Sequence, residues 1–191
     1  MAADPDVDLW ALDEVHFQQH GSRCRMWIAP EDSDPIVMHE PTRRSVGYFG
    51  AVRLRDGKFI YSRVEDKFNA DTFWAFLKML RKSSSHARKK VVVISDNARY
   101  HHAKLHKEYR ENCADHFALD FLPPYSPDLN PIERVWKLTR RLCTHNRYFP
   151  TLENVSGAVE ATFDEWVLGL SLIHISEPTR PRRQSRMPSS A

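Results

Sequence analysis

The chain has 191 residues, of which 41% are hydrophobic and 11% aromatic, and a formal net charge of +3. This length suffices for one domain with a proper core, and since no apolar run reaches 18 residues, no membrane span is expected. Residues 169–191 hold four arginines against the single acid Glu177, so the first 168 residues carry no net charge. Overall charge therefore gives no support for nucleic-acid binding by the folded part.

Three cysteines, Cys24, Cys113 and Cys143, are far apart and odd in number. This pattern favours reduced thiols over a zinc site or a disulfide framework. The N-terminal stretch MAADPDVDLW has neither the basic start nor the long apolar stretch of a signal peptide. We therefore expect a cytoplasmic protein.

The first half of the chain predicts antiparallel strands. DLWALDEVHF (8–17) is apolar and β-prone, and CRMWIAP (24–30) is predicted to be its antiparallel partner. Two further strands, 44–54 and 58–65, flank the turn sequence RDG, which predicts a hairpin. Together these stretches predict a meander.

Strands and helices alternate from residue 69 onward. The stretch 69–84 has apolar residues at helical spacing, with Asn69 or Asp71 as its cap. The apolar run 90–101 contains Asp96 at its end and is typical of a strand buried on both faces in a parallel sheet. A short helix, a strand and two further helices follow, at 103–112, 117–127, from Asn130 and at 151–167. This order favours a mixed α/β sheet covered by helices.

FLPPYSPDLNPIERVW (121–136) crowds four prolines before a helix. Asn130 is a good N-cap residue and Pro131 suits the first helical position. Glu133 then occupies the position of the glutamate in a capping box. Two interpretations of Glu133 stay open here, a helix-capping residue or a carboxylate aimed at a functional site.

Three acids are candidates for a functional site: Asp13 within the first strand, Asp96 at the end of the central strand, and Glu133. Each also has a structural interpretation, as an edge-strand acid, an Asx-turn residue and a cap respectively. An acid within an apolar strand is costly to bury unless it has a partner or a metal. Since open α/β sheets place their sites at strand carboxyl ends, the three acids together favour a site.

The motifs DE (13–14), SDNARYHHAK (95–104) and LPPYSPDLNPIERVWK (122–137) resemble the catalytic domain of bacterial insertion-sequence transposases of the Tc/mariner superfamily, over residues 8–167. The resemblance implies an RNase H-like fold, with antiparallel early strands, then parallel strands, flanked by helices. It implies a DDE triad of Asp13, Asp96 and Glu133, with 82 and 36 residues between them. Glu14 should point to the face opposite Asp13 because side chains alternate along a strand.

Such a triad would bind two Mg²⁺ or Mn²⁺ ions, so the three carboxyls should converge within reach of two shared cations. The implied reaction is hydrolysis of a DNA phosphodiester, followed by attack of the freed 3′-hydroxyl on target DNA. The implied partners are transposon ends and target DNA, with a homodimer in the full-length protein. We expect the protein to be associated with the nucleoid when it is bound to DNA.

Basic residues near Glu133 are candidate phosphate contacts. Arg134, Lys137 and Arg141 form one stripe at helical spacing, with Arg140 beside it. The alternative is an ordinary solvated helix face. His101 is a further candidate for contact with a phosphate or with the attacking water.

We expect residues 1–168 to form a catalytic domain without helix-turn-helix modules. Residues 169–191 are predicted to be non-native, because SLIHISEPTR resembles translated sequencing-adapter DNA; a native disordered basic tail is the alternative. Two other functions stay open, an RNase H-like nuclease acting on RNA or hybrids and an inactive transposon remnant. Nucleotide-driven chemistry is disfavoured since no GxxxxGK[ST] loop occurs.

Overall fold

The structure is a computed structural model that describes residues 6–25, 28–29, 36–38, 40–84, 89–103, 107–124 and 126–168. The predicted tail, 169–191, lies outside the described residues. The five strands of the described part are β1 (Val7–Gln18), β2 (Ser45–Arg53), β3 (Phe59–Val64), β4 (Lys90–Ser95) and β5 (Phe117–Phe121). Its α-helices are α1 (Ala70–Ser84), α2 (Lys107–Asn112), α3 (Ile132–Thr139) and α4 (Leu152–Val167). Short 3₁₀ turns cover Arg99–His102 and Pro127–Leu129, and a π-helical turn, Arg140–Thr144, continues α3.

The strands form one sheet in the order β3-β2-β1-β4-β5. The pairs β1–β2 and β2–β3 are antiparallel, whereas β1–β4 and β4–β5 are parallel. This arrangement confirms the predicted mixed sheet with antiparallel early strands. It also places the carboxyl end of β4 beside the middle of β1. Open α/β sheets hold their sites at the carboxyl ends of their strands.

The predicted strand 24–30 was wrong. The residues described within it, 24, 25, 28 and 29, are not in a strand. The antiparallel partner of β1 is β2, in a register that pairs Asp13 with Gly50. β2 pairs with β1 from Trp10 to Gln18 and so takes the antiparallel edge that the prediction had given to residues 24–30.

The sheet is buried on both faces because its side chains alternate between two cores. One core contains Ala11 and Val15 of β1 and packs against α3 and α4 through Trp136 and Phe163. The other core contains Trp10 and Leu12 of β1 with α1, whose buried residues are Phe73, Phe76, Leu77, Leu80 and Ser84. Odd-numbered and even-numbered residues of this part of β1 therefore lie in different environments.

Local signals explain the hairpin and the start of α1. Gly57 has a φ of +71°, a left-handed conformation that glycine adopts without steric cost, in the turn between β2 and β3. The side chain of Asn69 accepts hydrogen bonds from the backbone N–H groups of Asp71 and Thr72, each at 2.9 Å. Asn69 is therefore the cap of α1, as predicted.

The cysteines Cys24, Cys113 and Cys143 are all free, in agreement with the expected reduced thiols. None of the helices in the described part of the chain combines the length and apolar character needed to cross a bilayer.

Candidate active site

A cleft of about 470 Å³ opens at the carboxyl ends of β4 and β5. The three predicted acids, Asp13, Asp96 and Glu133, all line it. The other lining residues are Asn97, Ala98, Leu122, Pro123, Pro124, Ser126 and Asn130. Carboxylates from a strand, a loop and a helix thus share one cavity.

Asp13 reaches the cleft from β1, on the face that packs against α3 and α4. The last residue pair between β1 and β4 is Ala11 with Ile94. Continuing that register by two residues brings Asp13 alongside Asp96, at the point where β4 has ended. The indole Nε1–H of Trp136 donates a hydrogen bond of 3.1 Å to Asp13 Oδ2.

Burial raises the pKa of Asp13 to about 7, and the negative charges of Glu14 and Glu133 act in the same direction. Hydrogen bonds from the backbone of Glu14 and from Trp136 oppose this rise but do not outweigh it. A carboxyl in such surroundings gains from a cation that offsets the like charges. Hard oxygen ligands of this kind suit Mg²⁺ and Mn²⁺, so the residues present fit a divalent metal site.

Trp136 can reach Asp13 because the paired position on β2 is a glycine. A Cβ atom added to Gly50 would lie 2.3 Å from Cη2 of Trp136, closer than real Cβ contacts come. Gly50 is therefore needed for the close approach of the indole ring to the sheet. No signal in the sequence alone identified this pair.

Asp96 follows β4 directly, and two donors hold its carboxylate. The backbone N–H of Ala98 donates to Asp96 Oδ1 at 3.1 Å, which is the Asx turn considered from the sequence. His101 Nδ1 lies 3.0 Å from the same oxygen. The hydrogen bond from His101 is the main reason that the pKa of Asp96 lies below its usual value. The turn and the cleft position of Asp96 are thus compatible.

Glu133 lies in the first turn of α3, as the sequence predicted. The capping interpretation was wrong in one respect: the helix start has no side-chain capping hydrogen bond. Asn130 instead donates from its side-chain amide to the carbonyl of Leu12, at 3.0 Å. This bond attaches the segment before α3 to β1, one residue from Asp13. A tertiary contact therefore orients the helix start that carries Glu133.

A hydrogen bond joins the two loops that border the cleft after β4 and β5. Asn97 donates from its side-chain amide to the carbonyl of Leu122 at 2.6 Å. This bond ties the loop after β4 to the prolyl segment after β5, and the rigid prolines limit how that segment can move. Both loops contribute residues to the lining of the cleft.

Glu14 points to the face opposite Asp13, as strand alternation predicted. Its carboxylate accepts hydrogen bonds from the hydroxyl of Tyr100 and from His101 Nε2, the latter at 2.8 Å. Ligand atoms of Glu14, Asp96 and His101 lie within 4.8 Å of one another. Sequence reasoning did not assign a role to Glu14 or Tyr100. The signal available was an acid in an apolar strand together with the Tyr-His pair after β4.

The prediction that His101 contacts a phosphate or the attacking water disagrees with its position. Its side chain is 0% exposed, and its two ring nitrogens face Glu14 and Asp96. Burial alone would lower the pKa of His101, but hydrogen bonds to Asp96 and Glu14 outweigh it and raise the pKa to about 9. His101 is thus an internal residue behind the cleft.

The predicted basic stripe is exposed at Arg134, Lys137 and Arg141. Arg140 departs from it, since its guanidinium lies 5.8 Å from the centre of the Phe17 ring. Arg140 also lines a second cavity, away from the three acids, with the neighbouring residues His16, Phe17, Gln18, Gly21, Ser22 and Thr144. The three exposed cations stay candidates for phosphate contact.

Comparisons with known proteins agree with this arrangement. A family model described as DDE superfamily endonuclease matches residues 8–156. Among curated proteins, the uncharacterized protein y4pE/y4sA of Sinorhizobium fredii (strain NBRC 101917 / NGR234) is 38% identical over 64 residues. That match covers 34% of this chain and 44% of the relative.

Solved structures of the Mos1 transposase have a similar fold. The paired-end complex with the left transposon end gives a TM-score of 0.61 at 17% identity, covering 87% of this chain and 51% of that chain. The mariner paired-end complex with Mn gives 0.61 at 18% identity, covering 87% and 52%. The catalytic domain with Raltegravir and Mg gives 0.56 at 15% identity, covering 88% and 76%.

This chain spans about half the length of the Mos1 chains in the paired-end complexes. The family match covers most of the present chain, and the sheet order and helices agree with the RNase H-like fold of transposase catalytic domains. The chain belongs to the DDE superfamily of endonucleases.

Proposed function

We propose that this chain cleaves DNA strands at transposon ends in a metal-dependent reaction. The freed 3′-hydroxyl then attacks a phosphodiester of target DNA and displaces the target strand's own 3′ oxygen, which joins the two DNAs. The observation that carries the proposal is the convergence of Asp13, Asp96 and Glu133 on one cleft. The names of the similar structures, Mos1 complexes with transposon ends and with Mg or Mn, support the choice of DNA and of these ions.

The carboxylates of Asp13, Asp96 and Glu133 are the groups that would hold two divalent ions. Ions bound there would activate an attacking oxygen and stabilise the leaving oxygen of the phosphodiester. The chain itself positions the ligands: Trp136 holds Asp13, Ala98 and His101 hold Asp96, and the prolyl segment fixes the start of α3.

DNA would approach over the exposed face of α3. Arg134, Lys137 and Arg141 are exposed on the helix that carries Glu133 and its continuation, so their charges can attract phosphates toward the cleft. We further propose that residues 1–168 form the catalytic unit. In the full-length protein this unit would work as a homodimer, on DNA of the bacterial nucleoid.

The test compares the parent with Glu133→Gln, and with Glu153→Gln as the matched control. Glu153 is also an acid in the first turn of a helix, α4, and it is exposed. Glu133→Gln should leave the metal-free melting temperature equal or slightly higher, because it removes like-charge repulsion. It should reduce the rise in melting temperature across a Mn²⁺ series. For an intact site, the stabilisation free energy behind that rise is RT ln(1 + [L]/Kd).

The same variants are assayed for Mn²⁺-dependent nicking of supercoiled plasmid DNA. Metal catalysis supplies several kcal/mol, so Glu133→Gln should lower the nicking rate by roughly a thousandfold, while Glu153→Gln keeps it. An RNA–DNA hybrid serves as the second substrate, and its cleavage in preference to DNA would indicate the alternative nuclease. If Glu133→Gln keeps the full Mn²⁺-dependent rise and loses metal-free stability, Glu133 only supports the helix start.

A further inference from the structure

A buried chain of hydrogen bonds connects the two faces of the sheet behind the cleft. His101 Nε2 lies 2.8 Å from Glu14 Oε1, and its Nδ1 lies 3.0 Å from Asp96 Oδ1 and 3.1 Å from the Asp96 carbonyl oxygen. The Phe73 ring of α1 lies against the imidazole, with 4.1 Å between ring centroids. The histidine is thus packed tightly between strand β1 and the turn after β4.

Each ring nitrogen of His101 faces a hydrogen-bond acceptor. Donation from both nitrogens satisfies the two carboxylates at once, and it gives the ring one positive charge between two negative ones. The 3₁₀ turn Arg99–His102 supplies both Tyr100 and His101, and both bind Glu14. The turn is therefore attached to β1 at the residue next to Asp13.

Asp96 requires such support because its side chain is 53% exposed and lies just after the last residue of β4. An exposed carboxylate on a loop samples several rotamers, and each lost rotamer costs free energy when a metal binds. Asp13 needs no equivalent hydrogen-bonding partner, since the strand pairing of β1 and the Trp136 hydrogen bond already restrain it.

We propose that Glu14 and His101 are positioning residues that hold the Asp96 carboxylate in the orientation in which it binds metal together with Asp13 and Glu133. The positioning itself is a property of the metal-free fold. Its consequence for metal binding rests on the proposed function. Hydrogen-bonded partners of metal ligands typically change metal affinity by roughly 10–100-fold when they are mutated.

The first experiment needs no metal and uses the backbone amide of Ala98 as its probe. That N–H donates to Asp96 Oδ1, so its proton chemical shift reports where the Asp96 carboxylate lies. Spectra are recorded for the parent, Asp96→Asn, His101→Gln, Glu14→Gln and the double variant. The matched control is His116→Gln, at an exposed histidine before β5.

His101→Gln should move the Ala98 amide upfield, toward its position in Asp96→Asn. Glu14→Gln should move it in the same direction by less, because a neutral amide can still accept one hydrogen bond. The double variant should match His101→Gln, since Glu14 acts through His101. Glu14→Gln keeps the shape of the side chain and carries the test alone if His101→Gln does not fold. An unchanged Ala98 resonance in the folded variants would overturn the proposal.

The second experiment measures Mn²⁺ affinity from the electron paramagnetic resonance signal of the free ion, below the melting temperature of every variant. Glu14→Gln and His101→Gln should each bind Mn²⁺ roughly 10–100-fold more weakly than the parent, and His116→Gln should bind it equally well. A lower melting temperature with normal Mn²⁺ affinity and a normal Ala98 resonance would indicate a purely structural role and overturn the proposal.

The two experiments separate this inference from the proposed function. If the parent binds no Mn²⁺, the proposed metal chemistry fails, and the Ala98 resonance alone decides the positioning role. If Mn²⁺ binding is lost in the variants while the metal-free Ala98 resonance stays in place, Glu14 and His101 are themselves ligands of a cation with Asp96. That last result would contradict the positioning role.

Discussion

Strand β1 carries one aspartate near its start and another in its middle, both largely buried, in opposite electrostatic surroundings. Asp8 is 1% exposed and lies 3.1 Å from both Arg53 Nη1 and Arg55 Nε. Asp13, on the same strand, faces other carboxylates, and burial together with those charges raises its pKa to about 7. Arginines compensate the charge of Asp8, whereas Asp13 lies among like charges, as we propose for a metal ligand. Charge compensation thus distinguishes a structural acid from a candidate metal ligand within one strand.

The largest effect should come from exchanging each of these acids for its amide. Asp8→Asn should lower the free energy of unfolding by about 3 kcal/mol, the low end for a broken buried pair, because Arg53 keeps its second partner Asp56. Asp13→Asn should leave metal-free stability equal or higher, yet abolish the Mn²⁺-dependent rise in melting temperature. Urea unfolding with and without Mn²⁺ measures both quantities. If Mn²⁺ stabilised Asp13→Asn but not Asp8→Asn, then Asp8 and not Asp13 would be the metal ligand.

The next largest effect should come from Gly50, the β2 residue that pairs with Asp13 and lies under the indole ring of Trp136. Gly50→Ala places a Cβ against Trp136, so overpacking should cost about 1–3 kcal/mol of stability. It should also displace the N–H that binds Asp13 and so weaken the Mn²⁺ response. The matched control is Gly157→Ala in α4, where a Cβ meets nothing within 4 Å and should stabilise by about 0.5–1 kcal/mol. Equal thermal denaturation midpoints for the two variants would contradict this.

The metal-free protein should lose stability as pH rises from about 4 to about 7 through the ionisation of Asp13. The pKa of Asp13 is 3.8 without the fold and about 7 in the folded protein, mainly because of burial. The folded chain therefore keeps a proton that the unfolded chain has released, so this contribution is complete below pH 4 and is lost as pH passes about 7. We expect on the order of 2 kcal/mol, since solvent screens part of the shift.

Urea midpoints of the parent and of Asp13→Asn, across that pH range, isolate this contribution from other titrating groups. The exposed Asp115→Asn serves as the control. The difference in urea midpoint between the parent and Asp13→Asn should grow from pH 4 to pH 7. The corresponding difference for Asp115→Asn should stay small. A constant difference for Asp13→Asn would mean that its carboxyl titrates like an ordinary surface acid.

The smallest effect concerns the surface cations. Arg53 is largely buried and compensates Asp8, whereas Lys137 is exposed on the helix of Glu133 and has no such internal task. Lys137→Ala should weaken duplex DNA binding and lower the salt slope of log K by about 1, with stability unchanged. Lys78→Ala, on exposed α1 surface, is the control. Fluorescence anisotropy across a salt series provides the measurement, and identical slopes for the two variants would remove Lys137 from the DNA contacts.

Periodicity and end signals in the chain predicted most elements of the fold. The apolar, β-prone stretch around Asp13, the run before Asp96 and the helical spacing of α1 each depend on neighbours a few residues away. The same is true of Asn69, whose capping bonds reach Asp71 and Thr72. Alternation also assigned Asp13 and Glu14 to opposite faces of the sheet. These local regularities, together with motifs that resemble a known family, were enough for the fold class and for three candidate acids.

The tertiary contacts of each side chain could not be predicted from such patterns. Trp136 reaches Asp13 across 123 positions, and Asn130 reaches Leu12 across 118. The burial of His101, the arginines beside Asp8 and the pairing of β1 with β2 instead of residues 24–30 depend equally on chain folding. A repeat period states which face a residue occupies, but not which distant segment covers that face. Partners and pKa values therefore follow from packing, because charge and burial act through space and not along the chain.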